Sequence, residues 1–276
     1  MIAGVVGGGT MGAGIAHLLL AGGHDVVLAE AGADRAEAAR LAVTRSLAKA
    51  AERGKLTGTP DALLAGLTVV EDLADLPSAA ELVVEAVPED ADLKRRVLTQ
   101  VASVCPTAVL ASNTSSLSIS ALADGLPGER LIGMHFFNPV PVQELVELVH
   151  HDGVGPDVVV RVRAWAEALG KTVIEVRDSP GFATSRLGVA VGMEAIRMLE
   201  EGVASAEDID TGMRLGYGWP MGPLKLTDLV GLDVRLAIAK HLAAELGPRF
   251  EPPALLRDKV DRGELGRKTG RGFFAW

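Results

Sequence analysis

Short runs of β-branched and aliphatic residues alternate with longer stretches rich in Ala, Leu, Arg and Glu through the first two thirds of the chain. Strand candidates fall at residues 2–6, 25–29, 82–87, 109–111 and 131–134, and the segments between them carry helical spacing, the pattern of βαβ units in a parallel sheet. Between the second and third candidates a helix is expected over 34–54 and a short one near 61–64, an insertion longer than an ordinary crossover. Two further strands, 145–149 and 172–176, flank a helix that starts at Pro156 and is stopped by Gly170. After Asp178-Ser179-Pro180-Gly181 the strand signal ends, and the remainder reads as helices broken at Gly222-Pro223, Gly247-Pro248 and Pro252-Pro253. The pattern predicts an α/β domain over residues 1–178 and a smaller all-helical domain over 179–276.

A length of 276 residues accommodates those two domains. The net charge of −9, with no long basic run, removes the electrostatic attraction that nucleic acid requires, so an anionic ligand must meet a local cationic patch. Cys105 is the single cysteine, which forbids an intrachain disulfide and a thiolate metal cluster. No metal is expected, and a cytoplasmic setting fits. Met1 runs straight into Ile2 with no charged leader, and no apolar run reaches membrane-spanning length, so neither a targeting signal nor a membrane partner is expected.

Gly7-Gly8-Gly9-Thr10-Met11-Gly12 follows the first strand and opens the first helix, the context in which G-x-G-x-x-G signifies a dinucleotide site. Gly7 permits the turn, Gly9 admits a pyrophosphate to the backbone, Gly12 brings helix against strand, and the helix start at Thr10 and Met11 presents amides and a positive dipole end. Glu30, at the end of the second strand, suits the adenosine ribose hydroxyls and disfavours a 2′-phosphate, which selects NAD over NADP, with Arg35 the one nearby residue able to argue otherwise. The first domain is therefore expected to be of Rossmann type.

A nicotinamide-linked oxidation needs a group to take up the proton released with the hydride, and histidine titrates nearest neutral pH. His135 follows the strand at 131–134, at the C-terminal edge of the expected parallel sheet, where such sheets bind ligands. Glu147 interrupts the apolar run Leu145-Val146-Glu147-Leu148-Val149, so a buried carboxylate there needs a partner, and His135 would supply one that is in turn oriented by it. A packed histidine and an outward-facing glutamate satisfy the same periodicity, and on the residues alone both readings stand.

The segments GGGTMGAGIA (7–16), VVEAVPED (83–90), SNTSSLSI (112–119), GMHFFNPVP (133–141), LVELV (145–149), DSPGF (178–182), GVASAEDID (202–210), PMGPLKLTDLVGLD (220–233) and GRKTGRGFF (266–274) occur in this order. Together they resemble the 3-hydroxyacyl-CoA dehydrogenase family, including the 3-hydroxybutyryl-CoA dehydrogenases, over practically the whole chain. The resemblance implies reversible, NAD-linked oxidation of the 3-hydroxyl of an L-3-hydroxyacyl-CoA on a Rossmann domain, with a helical domain that forms a homodimer.

It further implies a catalytic His135–Glu147 dyad, with Ser115 at the substrate hydroxyl. Asn138 is placed near the cofactor, and Glu89 and Lys94 near the nicotinamide ribose, although on the residues alone these two read as a surface helical pair. Ser46 and Arg53, with Lys49 and Lys55 nearby, fall where the family meets CoA. One position departs from the pattern: Ser185 stands where the family has an asparagine that helps hold the substrate. A hydroxyl has a shorter arm and fewer hydrogen-bonding atoms than an amide. The departure leaves room for two alternatives, a dehydrogenase of a hydroxyacyl group on an acyl carrier protein and a non-catalytic NAD-binding relative of the crystallin kind.

Overall fold

The computed structural model describes residues 1–276, which divide into two compact units, Met1–Asp178 and Ser179–Trp276. In the first, β1 (Ile2–Val6), α1 (Thr10–Ala21), β2 (Asp25–Ala29), α2 (Ala33–Glu52), α3 (Pro60–Leu64) and β3 (Leu67–Val70) precede β4 (Leu82–Glu85), α4 (Ala91–Val104), β5 (Val109–Ser112) and α5 (Ile119–Ala123). β6 (Leu131–Phe136), β7 (Leu145–His150), α6 (Pro156–Ala168) and β8 (Thr172–Arg177) complete it. The strands form one eight-stranded sheet of order 3-2-1-4-5-6-7-8. The order reverses between β1 and β4, and a crevice opens at such a point beyond the strand ends.

The sheet corrects two expectations, a missing strand and a strand end, and sets the direction of a third strand that the sequence left open. β3 was not foreseen; it pairs with β2 and turns the long insertion into an ordinary βαβ unit with a two-helix crossover. β7 runs antiparallel to β6, because the link between them, where Val142 and Gln143 both donate to the Pro139 carbonyl, is too short to cross the sheet. β6 runs two residues beyond the expected end, so His135 lies within a strand rather than after it.

α1 is buried along residues 12–20, wedged against the sheet and α2, and each leucine of Leu18-Leu19-Leu20 contributes about 1.5–3 kcal/mol by leaving water. His17 survives there because its Nδ1 lies 2.7 Å from Ser46 Oγ, while burial and the charge of Lys171 hold its pKa below the ordinary value and favour the neutral ring.

The second unit comprises α7 (Thr184–Glu200), α8 (Ala206–Thr211), α9 (Pro223–Val230), α10 (Leu232–Leu246) and α11 (Ala254–Asp261) around a core that includes Met193, Ile196, Leu224, Leu236 and Leu242. Two buried carboxylates pin it. Asp210 accepts from the Leu224 and Lys225 amides at the start of α9, and Asp228 accepts from the Phe273 and Phe274 amides and from Trp276 Nε1. A Cβ on Gly272 would lie 2.1 Å from Asp228 Oδ1, so the chain end docks only through glycine. No helix of either unit is long and apolar enough to cross a membrane.

Candidate active site

The glycine loop after β1 is shaped by close approach. Gly7 sits at φ +96°, and a Cβ on Gly12 would fall 1.7 Å from the Gly7 carbonyl oxygen, so α1 can begin against the strand only without a side chain there. A Cβ on Gly8 would meet Ala39 of α2 at 2.2 Å, whereas one on Gly9 would meet nothing within 4 Å. Gly9 thus faces open space, no side chain caps α1, and its first turn has no acidic residue, leaving the early amides for an anion. The space is part of a cleft of about 820 Å³ lined by Gly9, Thr10, Met11, Glu30, Ala86 and Val87, among others. Glu30 is anchored by the Gly8 amide at 2.6 Å, and Arg35 donates to the Ala31 carbonyl beside it. Open backbone, uncapped helix start and an acid at the end of β2 suit a dinucleotide with unmodified ribose hydroxyls.

Two strands further along the same edge, the antiparallel register sets His135 directly opposite Glu147. His135 Nδ1 and Glu147 Oε2 are 2.6 Å apart, and the residues are 7% and 0% exposed, a charge-assisted contact shielded from water. A carboxylate accepts only, so Nδ1 carries the proton, the tautomer in which Nε2 is the basic nitrogen. Phe137 flanks the imidazole with ring centroids 4.5 Å apart, and Asn113 Oδ1 accepts the Phe136 amide, tying β6 to the end of β5. Asn138 is exposed in the segment that follows, ahead of a cis peptide to Pro139.

Ser115 lies on the loop after β5, and Glu89 gathers that loop. One carboxylate oxygen accepts from Thr114 Oγ1 at 2.6 Å, from the Ser115 amide and hydroxyl at 3.0 and 3.2 Å, and from the Ser116 amide and hydroxyl, each at 3.1 Å. Burial alone would raise the Glu89 pKa, but these hydrogen bonds and the nearby Lys94 charge outweigh it and hold it below the ordinary glutamate value. Lys94 is not the surface residue expected. It is 1% exposed, its Nζ 2.8 Å from Glu85 Oε1, 3.0 Å from the Val87 carbonyl and 3.4 Å from Glu89 Oε2. Lys94 thus donates to Glu85 and the Val87 carbonyl and pairs with Glu89, so it holds Glu89 and, through it, Ser115.

Glu85 and Ser112, absent from the expected site, complete this cluster: Ser112 Oγ donates to Glu85 Oε2 at 2.7 Å, and the Val87 amide donates to Oε1 at 2.7 Å. The signal existed, since Glu85 ends the apolar run Leu82-Val83-Val84 much as Glu147 interrupts its own. Ser46, half-buried on α2, has its hydroxyl in the α1–α2 contact with His17. Arg53 follows α2 on the exposed side, with Lys49 and Lys55 exposed nearby. Ser185 belongs to the other unit, half-buried in the first turn of α7.

A doubly wound sheet with a dinucleotide cleft at its switch point and a buried histidine–carboxylate pair on the same edge defines a Rossmann-type dehydrogenase whose cofactor is NAD. The chain belongs to the 3-hydroxyacyl-CoA dehydrogenase family: the family's NAD-binding domain matches residues 2–179 and its C-terminal domain residues 181–276. It is 41% identical to a probable 3-hydroxybutyryl-CoA dehydrogenase of Deinococcus radiodurans, with 99% of each chain covered. It is 42% identical to a 3-hydroxybutyryl-CoA dehydrogenase of Mycobacterium tuberculosis over 99% of this chain and 97% of that one. Among solved structures it is similar to (S)-3-hydroxybutyryl-CoA dehydrogenase PaaH1 of Ralstonia eutropha, with a TM-score of 0.94, 40% identity and coverage of 100% and 98%.

Proposed function

We propose that the protein interconverts an L-3-hydroxyacyl-CoA and its 3-keto counterpart, with His135 as the proton-transfer residue. The observation that carries this reading is the 2.6 Å His135–Glu147 contact, buried at the sheet edge that also forms the NAD cleft. Glu147 fixes the tautomer and aim of the ring, so that Nε2 takes the hydroxyl proton in oxidation and returns it in reduction. Ser115, whose amide stays held by Glu89, turns its one hydroxyl proton from Glu89 to the reacting oxygen when substrate binds. When bound, NAD accepts or returns the hydride at the carbinol carbon. The uncapped start of α1 and Glu30 hold its pyrophosphate and ribose, with Asn138 near the nicotinamide. Lys49, Arg53 and Lys55 form the local cationic patch that meets the CoA phosphates.

The protein acts as a cytoplasmic homodimer in this reading, supported by exposed apolar side chains on the C-terminal unit: Leu187, Leu215, Tyr217, Val230 and Val234. Acetoacetyl-CoA should drive loss of the NADH absorbance, and His135→Ala should slow it by about 10³-fold while NADH still binds. Normal turnover by that variant removes His135 from the mechanism. Ser185, in place of the family's asparagine, keeps a second reading in play. Activity on an acyl-carrier-protein thioester with none on acyl-CoA would move the substrate to the carrier protein, and NAD binding without either activity would make the chain a non-catalytic relative.

A further inference from the structure

Three charged side chains are buried in the C-terminal unit, and two of them are satisfied. Asp210 and Asp228 each accept backbone amides, as described above. Arg235, on α10, is 6% exposed and has no hydrogen-bond or ion-pair partner, and its Nε is sealed from solvent. Burial draws its pKa down to about 10, so the guanidinium still carries its charge at neutral pH. A cation withdrawn from water with no acceptor in the chain, its Nε sealed and only its Nη groups in reach of solvent, opposes folding, and its presence calls for an acceptor that arrives from outside.

The group stands against α7 at a position cleared for it. A Cβ placed on Gly188 would lie 3.0 Å from Nη1 and 3.4 Å from Nη2, so any larger residue there would crowd the guanidinium. Ser185 precedes Gly188 by three residues and therefore shares that face of α7. The face at which the family resemblance places the substrate thus carries a serine in place of an amide and, one helical turn away, an unanswered positive charge.

We propose that Arg235 is a specificity-determining residue whose guanidinium binds a carboxylate carried by the acyl chain, so that the preferred substrates are 3-hydroxyacyl thioesters ending in a second carboxylate. The inference rests on the dehydrogenase reading above and narrows its substrate class. A planar guanidinium suits a carboxylate through paired hydrogen bonds, a geometry that a plain alkyl chain leaves unused.

The experiment compares kcat/KM for 3-ketoacyl-CoA pairs matched in length, 3-oxopentanoyl with 3-oxoglutaryl and 3-oxohexanoyl with 3-oxoadipyl. At least one carboxylated member should be favoured about 10-fold or more, the worth of one charged hydrogen bond. Arg235→Met should bring that ratio toward one, and Arg235→Lys should retain part of it. Because Met removes an unpaired buried charge, it should also raise the thermal midpoint of the ligand-free protein. Absence of preference in the wild type, or a preference that Arg235→Met leaves intact, overturns the proposal while leaving the dehydrogenase reading in place. An equal loss on all CoA substrates overturns it too, assigning the charge to the carrier, as does a lower midpoint or dissociation into monomers with the ratio unchanged. Turnover of neither member by wild type takes down the acyl-CoA reading and this inference together.

Discussion

Lys94 and Arg235 are both cations withdrawn from water, 1% and 6% exposed, and they differ in what surrounds them. Lys94 meets an oxygen in each of three directions, from Glu85, Val87 and Glu89, and Glu85 is itself held by Ser112 and the Val87 amide. Arg235 meets none. A buried charge answered from within the chain acts as a pin. Here it fastens Glu89, and Glu89 fastens the loop that carries Ser115. A buried charge left unanswered holds its interaction in reserve, and its cost to folding is recovered only when a ligand supplies the counter-charge. The contrast separates two tasks within one reaction: placing the groups common to every substrate, and choosing among acyl chains.

The largest test of the contrast is the sign of a stability change. Lys94→Met strands the Glu85 carboxylate in the interior and should cost about 3–5 kcal/mol, whereas the same substitution at Arg235 should stabilise. Urea midpoints at equal denaturant sensitivity read both directly. Adding Glu85→Gln to Lys94→Met should recover part of the loss, because the two charges are in contact and their effects are not additive. A neutral Lys94→Met would erase the distinction, since the pair would then be contributing nothing that the orphan lacks.

Glu89 gives a smaller and pH-dependent effect. Its pKa is lowered in the folded protein, so its stabilising contribution is fully present above the unfolded value of about 4.3 and is lost as pH falls through the lower folded value. Glu89→Gln should therefore reduce stability by about 1–2 kcal/mol at neutral pH, with the gap to wild type closing only below the ordinary carboxylate range. Slower turnover with little change in KM should accompany it, because the loop bearing Ser115 loses its common acceptor. A gap that stays constant down to the acid end means that the Glu89 charge is not what holds the loop.

These groups were unequally legible in the amino-acid sequence. Glu147 announced itself by breaking an apolar strand, and Gly7 to Gly12 by standing between a strand and a helix, because in both cases the physical constraint lies within a few neighbouring positions. Lys94 read as a surface residue because its partners come from β4, the following loop and β5, and no local pattern encodes that meeting. The contact of Ser46 with His17 was hidden because the face of α2 that packs on α1 depends on the helix's rotation, and His17 lies 29 positions away. β3 escaped because four residues between two turns carry little periodicity, and the direction of β7 escaped because it is set by the turn at Pro139 rather than by the strand's own composition. Arg235 gave no local signal at all, since being unpartnered is a property of everything packed around it.

The smallest effect concerns Ser185, which stands three positions before Gly188 on α7, the residue that faces the Arg235 head group. Ser185→Asn restores two donors and a carbonyl acceptor on a longer arm, and should raise kcat/KM for acetoacetyl-CoA by about 3- to 10-fold, the scale of one modest hydrogen bond. If serine at this position and the charge of Arg235 are two parts of one adaptation to a carboxylated acyl chain, the same substitution should lower the preference for 3-oxoadipyl over 3-oxohexanoyl thioesters. In the double variant with Arg235→Met the two changes should then fail to add, because each disturbs the same bound carboxylate. Simple additivity separates the positions and leaves Arg235 to act alone. A fall in acetoacetyl-CoA turnover indicates that the space beside Gly188 does not admit the longer amide, and that the serine serves clearance rather than hydrogen bonding.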